Sequence, residues 1–482
     1  MNIAQVMAEH AIKNPNKKVL VSTDMGFLTY AQAVETMQRI STQLSFLEPG
    51  TVVGLTMKDS FASFITRMSC AQLGLILVAL FEKLPAEEFA RRHALAKCQH
   101  VVADEDYEVI SAYPHTVINI NNLPVECHAS YHASGNDPIT FTWSGGTNGT
   151  PDGMVHTHST MIAVAEAAHA SWLPEFPDDV CYIVSPMISS MSMMYQYMVA
   201  YIGATMVISQ HPFSPALVEE NVVELGVTHL MGIPAIFSVM LRRGKLIGKS
   251  PKWCYSAGDA IGSQLCTRWE QTTGGRLRTL LGTSQSGPVF ANLGNYPMDS
   301  LGQIMPWTEV KLLDDDDNEV GEGKVGQLWI KSPTCAVADF PLNGISLIRD
   351  GWITTHDMLL QRDGLYYFVG RKNDTFKVNG LFVRPYSIEE HARSIVGVED
   401  AIAVPDIDNE GISKVKVYVV ADPTTTDWDR IEREVRAVNS KLESHERPYS
   451  VEFIEEIPRH PMSMKVQRFR LNPLFTKAKE SV

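Results

Sequence analysis

Phe141-Thr-Trp-Ser-Gly-Gly-Thr-Asn-Gly-Thr-Pro-Asp-Gly153, followed by Val155-His-Thr-His158, is the stretch on which the fold reading turns. An apolar run opens into a loop rich in glycine and hydroxyls, and a helical pattern begins near Thr157 or Ser159. Gly145, Gly146 and Gly149 let the backbone come close to a ligand, and Ser144, Thr147 and Thr150 add hydroxyls, the chemistry of a phosphate cradle. The G-x-x-x-x-G-K-[ST] pattern of a Walker A loop is absent. On composition alone, an ordinary glycine-rich turn accounts for the loop at least as well.

Working outward, short β-branched runs at Val52 to Met57, Ile139 to Trp143, Val180 to Ser185 and Thr205 to Ile208 alternate with helical patterns at Ser159 to Trp172 and Pro215 to Leu225. This rhythm predicts an α/β protein. From about Leu301 the texture changes to hairpins, VKLLDDDDNEVGEGKVGQLWI and GLYYFVG, so a β-rich part is expected over about 301–371. Asp314 to Asp317 reads as a solvated turn in preference to a cation site, because a contiguous acidic run converges poorly on one ion. After Arg371 comes a small α/β segment with strands at Ala401 to Val404 and Val415 to Val420 and a helix at Trp428 to Leu442. The expected division is therefore 1–371 and 372–482.

With 482 residues, 45% of them hydrophobic, the chain exceeds one ordinary core. Its net charge of -14 argues against nucleic-acid or anionic-membrane partners, so any phosphate site must be built locally. The first residues show no apolar stretch behind a basic leader, and the apolar run Leu73 to Phe81 is too short to span a bilayer, so a cytoplasmic protein is expected, as monomer or homodimer. Cys70, Cys98, Cys127, Cys181, Cys254, Cys266 and Cys335 are scattered, without a C-x-x-C pair, and are expected to be buried, reduced thiols.

The order of residues in the loop, S-G-G-T-N-G-T-P-D-G and then V-H-T-H, resembles the phosphate loop of the adenylate-forming enzymes: acyl-CoA synthetases, adenylation domains and luciferases. Further segments resemble that superfamily in the same chain order. They are Ser256-Ala-Gly-Asp-Ala-Ile261, Leu281-Gly-Thr-Ser-Gln285, Gly351-Trp-Ile-Thr-Thr-His-Asp357, Gly370-Arg-Lys-Asn-Asp-Thr-Phe-Lys-Val-Asn-Gly380, Val383-Arg-Pro-Tyr-Ser-Ile-Glu389 and Lys465-Val-Gln-Arg-Phe-Arg-Leu471. The first of these, Ser256 to Ile261, with Phe290-Ala-Asn-Leu-Gly-Asn295, is nearest to benzoate-CoA ligase-like members. The resemblance implies a large N-terminal domain of α/β subdomains plus a β-rich one, and a small mobile C-terminal α/β domain.

It also implies a chemistry: a carboxylic acid is activated with ATP and Mg2+ as acyl-AMP, and the acyl group passes to the pantetheine thiol of CoA or of a separate carrier protein bearing phosphopantetheine. By resemblance, Ser144, Gly145, Gly146, Thr147 and Gly149, with Ser256, Ala257, Gly258, Asp259, Gly282, Thr283 and Ser284, bind the nucleotide. Asp357 takes the ribose hydroxyls and Arg371 assists. Lys465 brings a positive charge to the carboxylate and α-phosphate. Asn373 marks the hinge, and Lys377 faces the site in thioester formation. Gly380 borders the pantetheine tunnel, although a turn needing positive φ explains a glycine there equally well. Gln285 stands where a magnesium-holding glutamate is usual, keeping an oxygen ligand without the charge.

The acid pocket is expected around Met187, Ser189, Ser190, Met191, Met231, Gly232, Ser256 and Gly282, with Ser189 in place of a histidine. Methionines here suit an adaptable apolar wall and equally plain core. No aspartate is present to pair an α-ammonium group, so an aryl or medium aliphatic acid is preferred over an amino acid. Asp152 replaces the loop lysine, where an aspartate beside polyphosphate is repelled by about 1 to 4 kcal/mol. His356 replaces a glycine, Asn373 an aspartate and Met464 a glycine. These departures leave open a second reading, a weakened homologue acting as a nucleotide-binding regulatory or scaffold subunit, against which Lys465, Asp357, Arg371 and Lys377 argue.

Overall fold

Strands Val52–Thr56 and Ile76–Ala79 pair in parallel, Val53 against Leu77. Val53, Leu55, Leu77 and Ala79 enter one hydrophobic core, whereas Val78 enters another. Burial on both faces is what a continuous β-branched run predicts for a sheet covered by helices. The structure is a computed structural model. It describes all residues except 128–129, 144–151, 173–178, 212–213, 295, 341–345, 379–380, 409, 411, 423–426, 438–441, 443, 460–465 and 472–482, and the side chains of Asn373, Lys377, Phe382, Ser444 and Phe469 are also outside the description.

The first sheet runs in the order Ala338–Phe340, Gly153–Thr157, Pro138–Trp143, Ile76–Ala79, Val52–Thr56, His100–Ala103, His115–Val117, the last five strands parallel. A second sheet runs Gln303–Ile304, Gly287–Ala291, Arg276–Thr283, Trp253–Ser256, His229–Gly232, Val180–Ile183, Thr205–Val207, Lys18–Ser22, Gly26–Thr29. Its six strands from Arg276–Thr283 to Lys18–Ser22 are parallel.

Between the sheets lie helices Ile3–Lys13, Tyr30–Leu44, Phe61–Leu73, His158–Ser171 and Ser190–Ile202, whose buried residues join both sheets in one core. Helices Pro215–Glu224, Pro234–Arg243 and Ser263–Thr273 cover the outer face of the second sheet, and Ala86–Leu95 covers that of the first. The layering explains why Phe61–Leu73 reads poorly as amphipathic: it has no exposed face. Each large apolar side chain buried there, Phe64 and Ile65 among them, contributes about 1.5–3 kcal/mol.

The β-rich part is a five-stranded antiparallel sheet of Glu309–Leu313, Val325–Lys331, Trp352–Arg362, Ile348–Arg349 and Leu365–Arg371. Its core also takes in Val289, Phe290 and Met154, so it is continuous with both larger sheets. Asp314 to Asp317 forms the expected turn: Asp314 accepts from the N–H groups of Asp316 and Asn318, and Asp317 pairs with Arg349. The C-terminal part comprises a hairpin of Phe376–Val378 and Leu381–Val383, helix Pro385–Arg393, a sheet of Val398–Ile407, Ser413–Ala421 and Pro448–Phe453, and helix Trp428–Arg436.

Three expectations need correction. The glycine-rich loop does not lead straight into a helix. Trp143 and Gly153 face each other across an antiparallel ladder, so the loop joins two neighbouring strands, and helix His158–Ser171 starts only after Gly153–Thr157. Thr157 caps that helix, its hydroxyl accepting from Thr160 N–H in a reciprocal capping box. The helix expected to reach Leu442 stops at Arg436, with Ala437 in extended backbone. The cysteines are free thiols, but Cys127 is exposed.

Candidate active site

The ends of four parallel strands of the second sheet bring the candidate residues together. Gly232 aligns with Ser256 and Ser256 with Thr279, and the Ala257 N–H donates to Gly232 O at 2.9 Å. Met231 O accepts from Val184 N–H at 2.7 Å, which sets the segment of Met187 to Met191 alongside. Crevices outside such strand ends are where open α/β sheets bind ligands. Ser256, at this end of the sheet, is fully buried and its hydroxyl has no hydrogen-bond partner among the described residues. Gly258 follows at φ +83°, a left-handed conformation that suits glycine.

The turn after strand Arg276–Thr283 is held from three directions. Thr283 Oγ1 accepts from the N–H groups of Gln285 and Ser286 at 3.2 Å. Ser284 O accepts from Thr142 Oγ1 at 3.1 Å and lies 2.9 Å from His156 Nε2, both on the first sheet. Burial lowers the His156 imidazole to about 4, so the ring is neutral and Nε2 carries the donated proton. Ala336 N–H donates to Gln285 O at 2.7 Å. The turn thus joins both sheets and the β-rich part. Ser284 Oγ donates to Gln285 Oε1 at 3.0 Å, leaving that amide oxygen one further lone pair. Among the described residues no group of three or more His, Cys, Asp or Glu is arranged to hold a metal.

Asp357 and Arg371 face each other across paired strands. Arg371 Nε donates to Asp357 Oδ1 at 3.0 Å and Thr355 Oγ1 donates to Oδ2 at 2.8 Å, with Asp357 only 1% exposed. Burial alone weakens the hold of Arg371 on its proton, but Asp357, Asp374 and Asp259 outweigh it and keep the guanidinium above its ordinary range. Asp259, from the segment Ser256 to Ile261, thus lies in electrostatic reach of the Asp357 pair. His356, in the place of a glycine, stands at φ +62°. Its Nδ1 lies 3.2 Å from Gln327 Nε2, and Asp152 is among the charges acting on it, so two departures noted separately in the sequence meet.

In the pocket segment, Ser189 caps helix Ser190–Ile202: its hydroxyl accepts from Ser192 N–H at 3.2 Å and lies 2.8 Å from Ser185 Oγ. Ser190 Oγ donates to Trp143 O at 2.9 Å, tying the pocket to the start of the glycine-rich loop. Met187 and Met231 are buried in the central core, with Met191 packed at its margin. Gly282 runs against Gly287 across the hairpin, where a Cβ would lie 2.9 Å from Gly287 O. Ser144, Gly145, Gly146, Thr147 and Gly149, with Gly380 and Lys465, lie outside the described residues. Lys377 is paired by its backbone with Phe382, and Asn373 sits in the short 3-10 helix Lys372–Asp374.

The sequence reading did not single out His156, Thr142, Thr355, Gln196 or Asp59. Thr142, His156 and Thr355 stand inside quoted motifs; Gln196 and Asp59 carry no local pattern. Asp59 Oδ1 accepts from Met187 N–H at 2.9 Å, and burial raises its carboxyl to about 7. Between the ordinary aspartate value near 4 and about 7, the folded protein holds a proton that the unfolded chain has released, so stability falls as pH rises through that window. Asp59→Asn, which keeps an acceptor for Met187, removes this slope. Its stability relative to the native chain is expected to improve by about 2 kcal/mol between pH 5 and pH 8. Denaturant titrations at the two pH values test this, and a pH-independent difference counts against it.

Comparison with known proteins follows the same lines. The family model described as AMP-binding enzyme matches residues 7–338. The chain belongs to this family, the adenylate-forming enzymes. A 3-hydroxybenzoate–CoA ligase of Aromatoleum sp. is 27% identical over 72% of this chain and 68% of that protein. A long-chain-fatty-acid–CoA ligase of Salmonella typhimurium is 28% identical over 69% of this chain and 61% of that protein. Among solved structures, the anthranilate CoA ligase AuaEII in complex with anthranoyl-AMP superposes with a TM-score of 0.89 over 98% of this chain and 96% of that one, at 21% identity, a likeness of fold. No helix among the described residues is long and apolar enough to cross a membrane.

Proposed function

We propose that the chain is an ATP-dependent acid–thiol ligase that converts a carboxylic acid to its acyl adenylate with release of pyrophosphate and then transfers the acyl group to a thiol. One observation supports the reading: Arg371, paired with Asp357, lies in electrostatic reach of Asp259, from the segment Ser256 to Ile261 that resembles the family's nucleotide-binding sequence. Activation as an adenylate supplies the leaving group that thioester formation needs. In this scheme Asp357 accepts the ribose hydroxyls, Ser284 and the glycine-rich loop hold phosphate, and Lys465 stabilises charge at the α-phosphate. Lys377 serves the thioester step beside Gly380.

Magnesium enters with ATP and offsets phosphate charge, Gln285 Oε1 contributing a neutral oxygen at most. The named relatives support CoA as acceptor; a separate acyl carrier protein bearing phosphopantetheine is the alternative. The acid is an aryl or medium aliphatic one. The division into 1–371 and 372–482, pivoting at Asn373, belongs to the same proposal. The second reading, a weakened nucleotide-binding subunit, is favoured by one feature, Asp152 in electrostatic reach of His356 where the family places a lysine.

Acid-dependent exchange of labelled pyrophosphate into ATP, across aryl, aliphatic and amino acids, tests the proposal. Exchange is expected with at least one aryl or aliphatic acid, and adding CoA is expected to yield its thioester. A folded protein that binds ATP but shows no exchange with any acid points to the second reading.

A further inference from the structure

Helix Phe61–Leu73 carries a fully buried arginine at the centre of the molecule. Arg67 is 0% exposed, and its Nε donates to Gln196 Oε1 at 3.0 Å. Neither terminal guanidinium nitrogen nor the Tyr197 hydroxyl makes a hydrogen bond of normal geometry among the described residues; the two groups act on each other only through a weak contact, with the Tyr197 ring centre 5.9 Å from the guanidinium. A guanidinium keeps its charge throughout the physiological pH range, and a buried charge with unpaired donors is strongly unfavourable. The charges and hydroxyls acting on it include Tyr197, Cys70 and Asp59. Asp59 is a partial counter-charge at best, since one of its oxygens is committed to Met187 N–H and its carboxyl is raised to about 7.

The surroundings connect this group to the acid pocket. Gln196 Nε2 donates to Met187 O at 2.7 Å and to Ser192 O at 3.2 Å, so a single side chain separates Arg67 from the pocket segment. Ser189, Ser192, Met193, Gln196 and Tyr197 lie at i, i+3, i+4, i+7 and i+8, one continuous face of their helix. Along that face, Ser189 at the pocket end and Gln196 are separated by about 10 Å, seven residues at the helical rise. Met193 stands between them, a flexible thioether that can be displaced where a branched side chain would not yield.

We propose that Arg67 and Tyr197 form the far end of the acid pocket and bind a second oxyanion on the substrate, so that the preferred acid is a dicarboxylate. Resting on the acid-activating reading above, this gives that reading a substrate class. A guanidinium with its two terminal nitrogens uncommitted, beside a phenol, has the donors that take a carboxylate in bidentate fashion. The span of about 10 Å suits a medium-chain diacid or an aryl acid with a para carboxylate. The entering oxyanion moves Met193 aside and supplies the full counter-charge that the guanidinium lacks.

The experiment compares octanedioate with octanoate, and terephthalate with benzoate, in the native chain, in Arg67→Met and in Tyr197→Phe. Pyrophosphate exchange reports activation, and calorimetric titration of each acid into the protein reports binding without chemistry. The native chain is expected to favour the diacid of at least one pair. Arg67→Met is expected to lower the diacid-to-monoacid ratio in affinity and exchange by at least about tenfold, and Tyr197→Phe by about fivefold. Unchanged diacid-to-monoacid ratios in the variants, or a native preference for both monoacids, overturn the proposal. Should Arg67→Met not fold, Tyr197→Phe, which removes one hydroxyl, decides alone. Should no acid support exchange, the ligase reading fails, whereas the binding ratios still decide the role of Arg67.

Discussion

Lys465→Ala is expected to lower acid-dependent pyrophosphate exchange by about 100- to 1000-fold, the scale of losing one preorganised charge at a transition state. Thioester formation from a supplied acyl adenylate is expected to stay within about twofold. Residues 460–465 lie outside the described residues, but the points where that segment departs and rejoins are fixed. Arg459 and Val466 form an antiparallel bridge. Arg459 pairs with Asp400 at 2.6 Å and reaches Asp259, in the segment Ser256 to Ile261, at 3.6 Å. A second ion pair between Arg242 and Glu399, at 2.9 Å, joins the outer helix layer to the C-terminal part. The two ends of the lysine-bearing segment are thus held together beside Asp259, one of the residues proposed to bind nucleotide. Rapid-quench measurement of each half-reaction tests the asymmetry, and equal loss in both steps would refute the assignment of Lys465 to the first.

Much of this arrangement was legible because it is local in the chain. The alternating runs became the two parallel sheets, and GLYYFVG and the acidic turn became hairpins, since strand period and turn chemistry are encoded over a few residues. Asp357 and Arg371, quoted in separate motifs, are cross-strand partners in one hairpin. What was not legible depends on distance. Arg67 and Gln196 are 129 positions apart, and neither carries a motif. Asp59 acquires its role only because Met187 folds onto it. Ser189 was read as a pocket residue in the place of a histidine, yet its hydroxyl also caps a helix, a function any serine before a helical run can take. The short strand Gly153–Thr157 was missed because Val155-His-Thr-His158 carries no apolar alternation long enough to separate it from the helix that follows. Asp152 and His356 were noted as independent departures. Their electrostatic contact appears only once the first sheet and the β-rich part are packed together.

Asp357→Ala is expected to destabilise the protein by about 2 to 3 kcal/mol and to raise the KM for ATP sharply. The stability cost follows from what is left behind. With the carboxylate gone, Thr355 Oγ1 loses its acceptor and Arg371 keeps only Asp374 and Asp259 as counter-charges against burial. Removing one member of a buried pair costs more than the pair contributed, and the figure lies below the fully buried case because the Arg371 side chain is 29% exposed. A double variant, Asp357→Ala with Arg371→Met, therefore separates the two roles of the aspartate. It removes the stranded cation, and denaturant titration is expected to show it at least about 1 kcal/mol more stable than Asp357→Ala alone. Nucleotide affinity is expected to remain as poor as in the single variant, because the acceptor for the ribose hydroxyls is still missing. If stability and ATP binding recover together, Asp357 acts only by holding Arg371. If the double variant regains stability without nucleotide, the carboxylate contacts the ligand itself, and the pair is both a strut between paired strands and a part of the site.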